Sequence, residues 1–161
     1  CPLDKWQRIE EVHKHILDYQ VRLHYPESIL DLGCGYGRLL TLLTGYWQGR
    51  YLGLDLSPHM IVEARLRHPQ HEFKVHSLID PFSQDFVWAH RSGTAGAFDW
   101  GVFISIRPMI TRNLGERSWQ FVQEQAERVC NRLLILEYDE QDNGEIIECH
   151  KSRTSSTTMA R

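Results

Sequence analysis

Apolar positions along this chain keep two rhythms, one helical and one strand-like, and the two alternate. Trp6, Ile9, Val12, Ile16 and Tyr19 fall on one stripe at helical spacing, which predicts a helix over 3–19. Pro26 disfavours helix at Tyr25 and separates that helix from a short apolar run at 28–31, read as the first strand. A helix-period run follows from Arg38 to about Trp47 and ends near Gly49. Residues 51–54 read as a second, buried strand, and residues 58–67 as a helix stopped by Pro69. Third and fourth strands are expected at 72–76 and 98–105. Between them lie an expected helix at 83–90 and a flexible small-residue stretch at 92–97. The segment from Ser105 to about Arg117 reads as a loop. It leads into a helix capped by Ser118, with Trp119, Val122, Ala126 and Val129 on its buried face. A fifth strand is expected at 132–137, a turn at Asp142-Asn143-Gly144 and a sixth strand at 145–149. Residues 152–158 are polar, Ser/Thr-rich and expected to fray.

Strands alternating with helices imply an α/β fold: a doubly wound, mostly parallel sheet with helices on both faces. Right-handed crossovers restrict its topology. In such a sheet a ligand sits beyond the carboxyl ends of the strands, at the switch point beside the first strand. Four segments map to that edge: the glycines after strand one, Asp55, His76-Ser77, and the stretch from Ser105 to Arg107.

The first of these segments carries the chemistry. Asp31-Leu32-Gly33-Cys34-Gly35-Tyr36-Gly37 has the pattern D-x-G-x-G-x-G between a strand and a helix. Glycine lacks a Cβ and tolerates positive φ, so the backbone can approach a ligand closely. The dinucleotide fingerprint G-x-G-x-x-G would place its third glycine where Arg38 stands, which disfavours a nicotinamide-dependent oxidoreductase. Asp55 ends the second strand about 20 residues on, the spacing at which a Rossmann-type unit sets an acid on a ribose hydroxyl pair. It opens Asp55-Leu56-Ser57-Pro58-His59-Met60-Ile61-Val62-Glu63-Ala64, with Ser57 as N-cap and Pro58 as first helical residue.

Together these motifs resemble the class I S-adenosylmethionine (SAM)-dependent methyltransferases, whose patterns are D-x-G-x-G-x-G and D-x-S-x-x-M-x-x-x-A. The resemblance extends over about residues 25–137, and its specific part is 31–64. It implies a Rossmann-like sheet, SAM as cofactor and methyl transfer as activity. On that resemblance Asp31 and the loop of Gly33, Cys34, Gly35 and Gly37 hold the methionine end of SAM. Asp55 takes the ribose hydroxyls, and Leu56 and Met60 flank the adenine. Ser77 stands where an acid usually meets the adenine amino group, with Asp80 as the alternative. Cys34 reads as a small buried residue, not a nucleophile.

The substrate side departs from the familiar patterns. Ser105-Ile106-Arg107-Pro108 contains neither an Asn/Asp-Pro-Pro-Tyr motif nor a cysteine nucleophile. Arg107, Glu137 and Tyr138 are the candidates facing an acceptor, and Arg107 suits a carboxylate or phosphate. The family commonly adds a helix and an antiparallel strand pair after strand five, but 24 residues follow Glu137. Either that edge of the sheet is shortened or sequence is missing, and the start at Cys1 also fits a trimmed chain. A non-catalytic SAM-binding module, or a partner subunit of a larger methyltransferase, is the alternative reading.

Composition narrows the partners. The 161 residues fit one domain, with a helical segment at 1–24 and a polar tail at 150–161. A net charge of −3 supplies no basic field, so a small-molecule or protein acceptor is favoured over nucleic acid. Arg107, Arg112, Arg117, Arg128 and Arg132 alternate with Glu116, Glu124 and Glu127 as a mixed solvated face. Cysteines 1, 34, 130 and 149 form no C-x-x-C pair, so no metal site or disulfide framework is expected, and a cytoplasmic setting is the simplest reading. No apolar run has the length of a membrane span.

Overall fold

The computed structural model describes residues 2–43, 45–82, 98–138 and 146–152. Six strands form one sheet in the order β3-β2-β1-β4-β5-β6. They are β1 (Ser28–Leu32), β2 (Arg50–Asp55), β3 (Glu72–Val75), β4 (Phe98–Ile104), β5 (Cys130–Tyr138) and β6 (Ile146–Ser152). The first five run parallel, and β6 pairs antiparallel with β5. The chain leaves β1 for β2 on one side and returns to β4 on the other, so the switch point lies between β1 and β4. The described helices are α1 (Pro2–His24), α2 (Arg38–Leu42), α3 (Pro58–Arg67), α4 (Arg107–Leu114) and α5 (Glu116–Val129).

Every residue of β1 is buried, as a strand covered on both faces requires. Its alternate residues serve two cores. Ile29 joins Leu17 and Val21 of α1, Leu39 and Leu42 of α2, and Ile61 and Ala64 of α3. Leu30 and Leu32 join Ile110 of α4 and Trp119, Val122 and Ala126 of α5 on the other face. Two bonds at the amino end tie β1 to β4: Asp99 donates its N–H to Ser28 Oγ at 2.8 Å, and Glu27 donates its N–H to Asp99 Oδ2 at 2.7 Å.

The expected α/β sheet is present, with corrections at the element ends. α1 runs on to His24, beyond the expected end at 19. α2 stops at Leu42, short of Trp47. Gly45 takes φ +96 there, and the Trp47 indole N–H turns back to donate to the Pro26 carbonyl at 2.8 Å. The stretch read as a loop after Ser105 is the helix α4, because Pro108 sits in its first turn, where a missing N–H costs nothing. α5 starts at Glu116 behind Gly115, and Ser118 does not cap it; its hydroxyl donates to the Leu114 carbonyl instead. β6 extends the sheet to Ser152, so an antiparallel strand does follow β5. The expected helix at 83–90, the stretch at 92–97, the turn at 142–144 and the tail beyond Ser152 lie outside the described residues.

Candidate functional site

The glycine loop leaves β1 by continuing its pairing with β2. The N–H groups of Gly33 and Cys34 both donate to the Leu54 carbonyl, at 2.8 and 2.9 Å. The backbone then needs three left-handed residues, with φ of +81, +54 and +86 at Gly33, Gly35 and Gly37. Two of these glycines answer a close neighbour. A Cβ on Gly33 would strike the Ile106 side chain, and one on Gly37 would come within 2.6 Å of His68 Cδ2. A Cβ on Gly35 would meet nothing within 4 Å among the described residues, so this residue faces open space between them. Gly37→Ala combines the left-handed penalty with the His68 clash. It is expected to destabilise the fold by about 2 kcal/mol and to lower Tm by about 4–8 °C. Thermal unfolding checks this, and an unchanged Tm would show that the loop tolerates another path.

Asp55 stands across from that open residue. Its Oδ2 accepts the Gly35 N–H at 2.8 Å and its Oδ1 accepts the Ser57 N–H at 2.8 Å. Each carboxylate oxygen can accept again, so both can still receive hydroxyl protons. Ser57 Oγ accepts the Met60 N–H at 3.3 Å and caps α3, as expected. Beside the carboxylate, Leu56 is 69 % exposed and Met60 39 % exposed, unusual for apolar residues next to a buried strand. Ser77 lies just past the carboxyl end of β3, beside β2, and its carbonyl accepts the Asp80 N–H. These groups fit SAM. The open glycine can admit its methionine end, the anchored carboxylate can take two ribose hydroxyls, and the exposed apolar pair can cover an adenine.

Asp31 is buried at the base of the loop, and its Oδ2 accepts the Tyr51 hydroxyl proton at 2.6 Å. Burial pushes its carboxyl up to about 7, the Tyr51 hydrogen bond pulls it down, Asp55 raises it and Arg38 lowers it. Cys34 turns into the core, where its Sγ occupies the space a Gly53 side chain would need. Only its backbone lies along the loop, and burial holds its thiol well above the usual range.

Three contacts that the sequence reading passed over also brace the loop. Arg67 at the end of α3 lies over the Tyr36 ring, 4.4 Å from its centroid. His68 packs beneath Gly37. On the other flank Arg38 donates to His13 Nδ1 at 3.2 Å, which leaves the imidazole proton on Nε2. That Nε2 is buried without a hydrogen-bond partner among the described residues. Burial first, and Arg38 second, lower His13 to about 4, so it is neutral at pH 7.

On the acceptor side, β4 is followed by Ser105, a non-glycine residue held at φ +57, whose N–H donates to the Leu136 carbonyl. Arg107 follows at the start of α4. Its Nη1 lies 3.7 Å from Oε1 of the buried Glu137, and its Nη2 lies 3.5 Å from Oε1 of Glu116. The structure therefore brings Arg107 and Glu137 together at the carboxyl ends of β4 and β5. Tyr138 is the last residue of β5.

Residues 29–96 match the family described as "Methyltransferase domain". That span contains the loop, Asp55 and Ser77. Over those residues the chain is similar to methyltransferase domains, and its fold is shared with SAM-dependent methyltransferases. It resembles the trans-aconitate 2-methyltransferase of Rhodopseudomonas palustris (strain BisB18), with 30 % identity over 123 residues, 66 % of this chain and 47 % of that protein. It therefore spans about half the length of this relative. The enzyme of the same name from Escherichia coli K12 is 44 % identical over 55 residues, 34 % of this chain and 22 % of that protein. The fold matches a TehB-like SAM-dependent methyltransferase from Corynebacterium glutamicum with TM-score 0.56 and 24 % identity, covering 72 % of this chain and 57 % of that one. A SAM-dependent methyltransferase from Clostridium acetobutylicum matches with TM-score 0.59 and 12 % identity, over 78 % and 49 %. No described helix is long and apolar enough to cross a membrane.

Proposed function

We propose that this chain, acting as one domain over residues 1–161, binds SAM and transfers its methyl group to a small anionic acceptor. The observation that carries the reading is the pairing of an open, left-handed Gly35 with the Asp55 carboxylate that its own N–H anchors. SAM supplies the electrophilic methyl group, and the protein supplies binding, orientation and electrostatics. In this reading Asp31, Gly33, Gly35, Gly37 and the Cys34 backbone hold the methionine end. Asp55 receives the ribose, Leu56 and Met60 cover the adenine, and Ser77 meets its amino edge. Titrating the chain with SAM, its demethylated product and NAD tests the cofactor. NAD binding more tightly than SAM would overturn the reading.

The acceptor side turns on Arg107. Its guanidinium sits in ion-pair range of Glu137 and Glu116 at 3.7 and 3.5 Å, longer than direct hydrogen bonds, so it is not locked into either partner. A carboxylate entering the crevice can compete for its planar fork. The relative's name makes trans-aconitate the first acceptor to test. Arg107→Ala is expected to lower kcat/KM for such an acceptor by about 10- to 100-fold, the worth of one charge-assisted contact. Its SAM affinity should stay within a factor of about two. Unchanged turnover of an anionic acceptor by the variant would remove Arg107 from the site.

A further inference from the structure

Asp31 and Tyr51 lie side by side beneath the glycine loop. β1 and β2 are parallel, with Ile29 opposite Tyr51 and Asp31 opposite Gly53. Residues two apart on a strand point the same way, so Tyr51 and Asp31 share a face. Gly53, opposite Asp31, leaves room for its neighbours, because a Cβ there would press on Phe73 Cδ1 at 2.7 Å and Cys34 Sγ at 2.8 Å. The Tyr51 hydroxyl donates its only proton to Asp31 Oδ2 at 2.6 Å. Asp31 is 2 % exposed and Tyr51 4 % exposed, so water does not compete for that bond.

We propose that Tyr51 is a positioning residue for cofactor binding. Its hydroxyl fixes the Asp31 carboxylate and sets the pH at which Asp31 becomes an anionic receptor for the ammonium of the cofactor's methionine end. The proposal rests on the reading of this site as a SAM site. A phenol donating to a carboxylate favours the ionised form, and in a buried site that preference is strong. The other groups around Asp31 pull in both directions. Asp55 at the end of β2 opposes a second negative charge, and Arg38 at the start of α2 favours it. Arg38 is itself shared with Glu10 and His13 of α1, and Cys34 of the loop is neutral. Burial and the neighbouring Asp31 hold the Tyr51 phenol well above its ordinary value, so it remains a donor.

Tyr51→Phe removes the hydroxyl and keeps the ring. Difference infrared titration of the whole chain, with Asp31→Asn assigning the carboxyl band, reads the ionisation of Asp31 without any cofactor. The expected result is a midpoint about one pH unit higher in Tyr51→Phe. SAM affinity should then fall about tenfold below that midpoint and much less at pH 9. Fluorotyrosine at position 51 is a stronger donor in the same ring and should move the midpoint down, which keeps the test open if Tyr51→Phe does not fold. An Asp31 midpoint equal in all forms, or an affinity loss equal at every pH, would reduce Tyr51 to packing and overturn the proposal. If the wild-type chain binds no SAM at any pH, the cofactor reading falls, while the infrared titration still decides what Tyr51 does to Asp31.

Discussion

Replacing Asp55 by alanine is expected to weaken SAM binding by at least about 100-fold, the loss of two charge-assisted hydrogen bonds at about 1.5 kcal/mol or more each. The size follows from the double duty of this carboxylate. It fastens the Gly35 N–H and the Ser57 N–H at 2.8 Å each, and both oxygens keep capacity for the ribose hydroxyls. On the proposed reading alanine removes the ribose receptor and loosens the loop proposed to receive the other end of the ligand. Asparagine separates these effects, because its single carbonyl oxygen can keep one backbone bond. Its loss should therefore be intermediate, about 10-fold. Calorimetric titration with SAM, alongside thermal unfolding of each variant, checks both values. An Asp55→Ala chain that folds and binds SAM as tightly as wild type would place the ribose elsewhere.

This carboxylate was legible in the sequence because its signal is local: an apolar strand, an acid at its end, then Ser57-Pro58 opening a helix. The same holds for the glycine loop, whose positive φ angles only glycine adopts at little cost. What escaped the sequence depends on distance along the chain. Tyr51 and Asp31 are 20 residues apart and meet only because of the β1–β2 register. Arg107 and Glu137 were each visible as candidates, but their pairing comes from the parallel alignment of β4 and β5. α4 was hidden for another reason. It buries Ile110 and leaves Met109 and Leu114 half exposed, so it shows no apolar stripe, and Pro108 reads as a breaker until its place in the first turn is known. The helix after the loop was read too long because Leu39 to Leu43 gives a strong helical rhythm. The turn at Gly45 and the bond from Trp47 to Pro26 are tertiary facts that end it early.

Asp31→Asn is expected to stabilise the fold above pH 7 while it damages the site. In the unfolded chain this carboxyl releases its proton near the ordinary 3.8, whereas in the folded chain burial holds it until about 7. The folded state therefore binds more protons across that window, and stability falls as pH rises through it. The full cost of ionising Asp31 in place is on the order of 4 kcal/mol at pH 8. Asparagine has no proton to lose and can still accept the Tyr51 hydroxyl, so the variant escapes this penalty. Urea unfolding of both proteins at pH 4.5 and pH 8 should show a stability difference that widens in favour of the variant as pH rises. A difference that stays constant would mean that Asp31 is already ionised at low pH in the folded chain. SAM affinity should move the other way, falling at least about tenfold at pH 8, because a neutral amide cannot pair with an ammonium. On the proposed reading a cation arriving beside Asp31 offsets the cost of its charge, so binding would recover stability that ionising Asp31 costs. That exchange of stability for a receptor is what a buried acid under a ligand loop provides, and a variant that gained stability without losing SAM would show that Asp31 holds the loop alone.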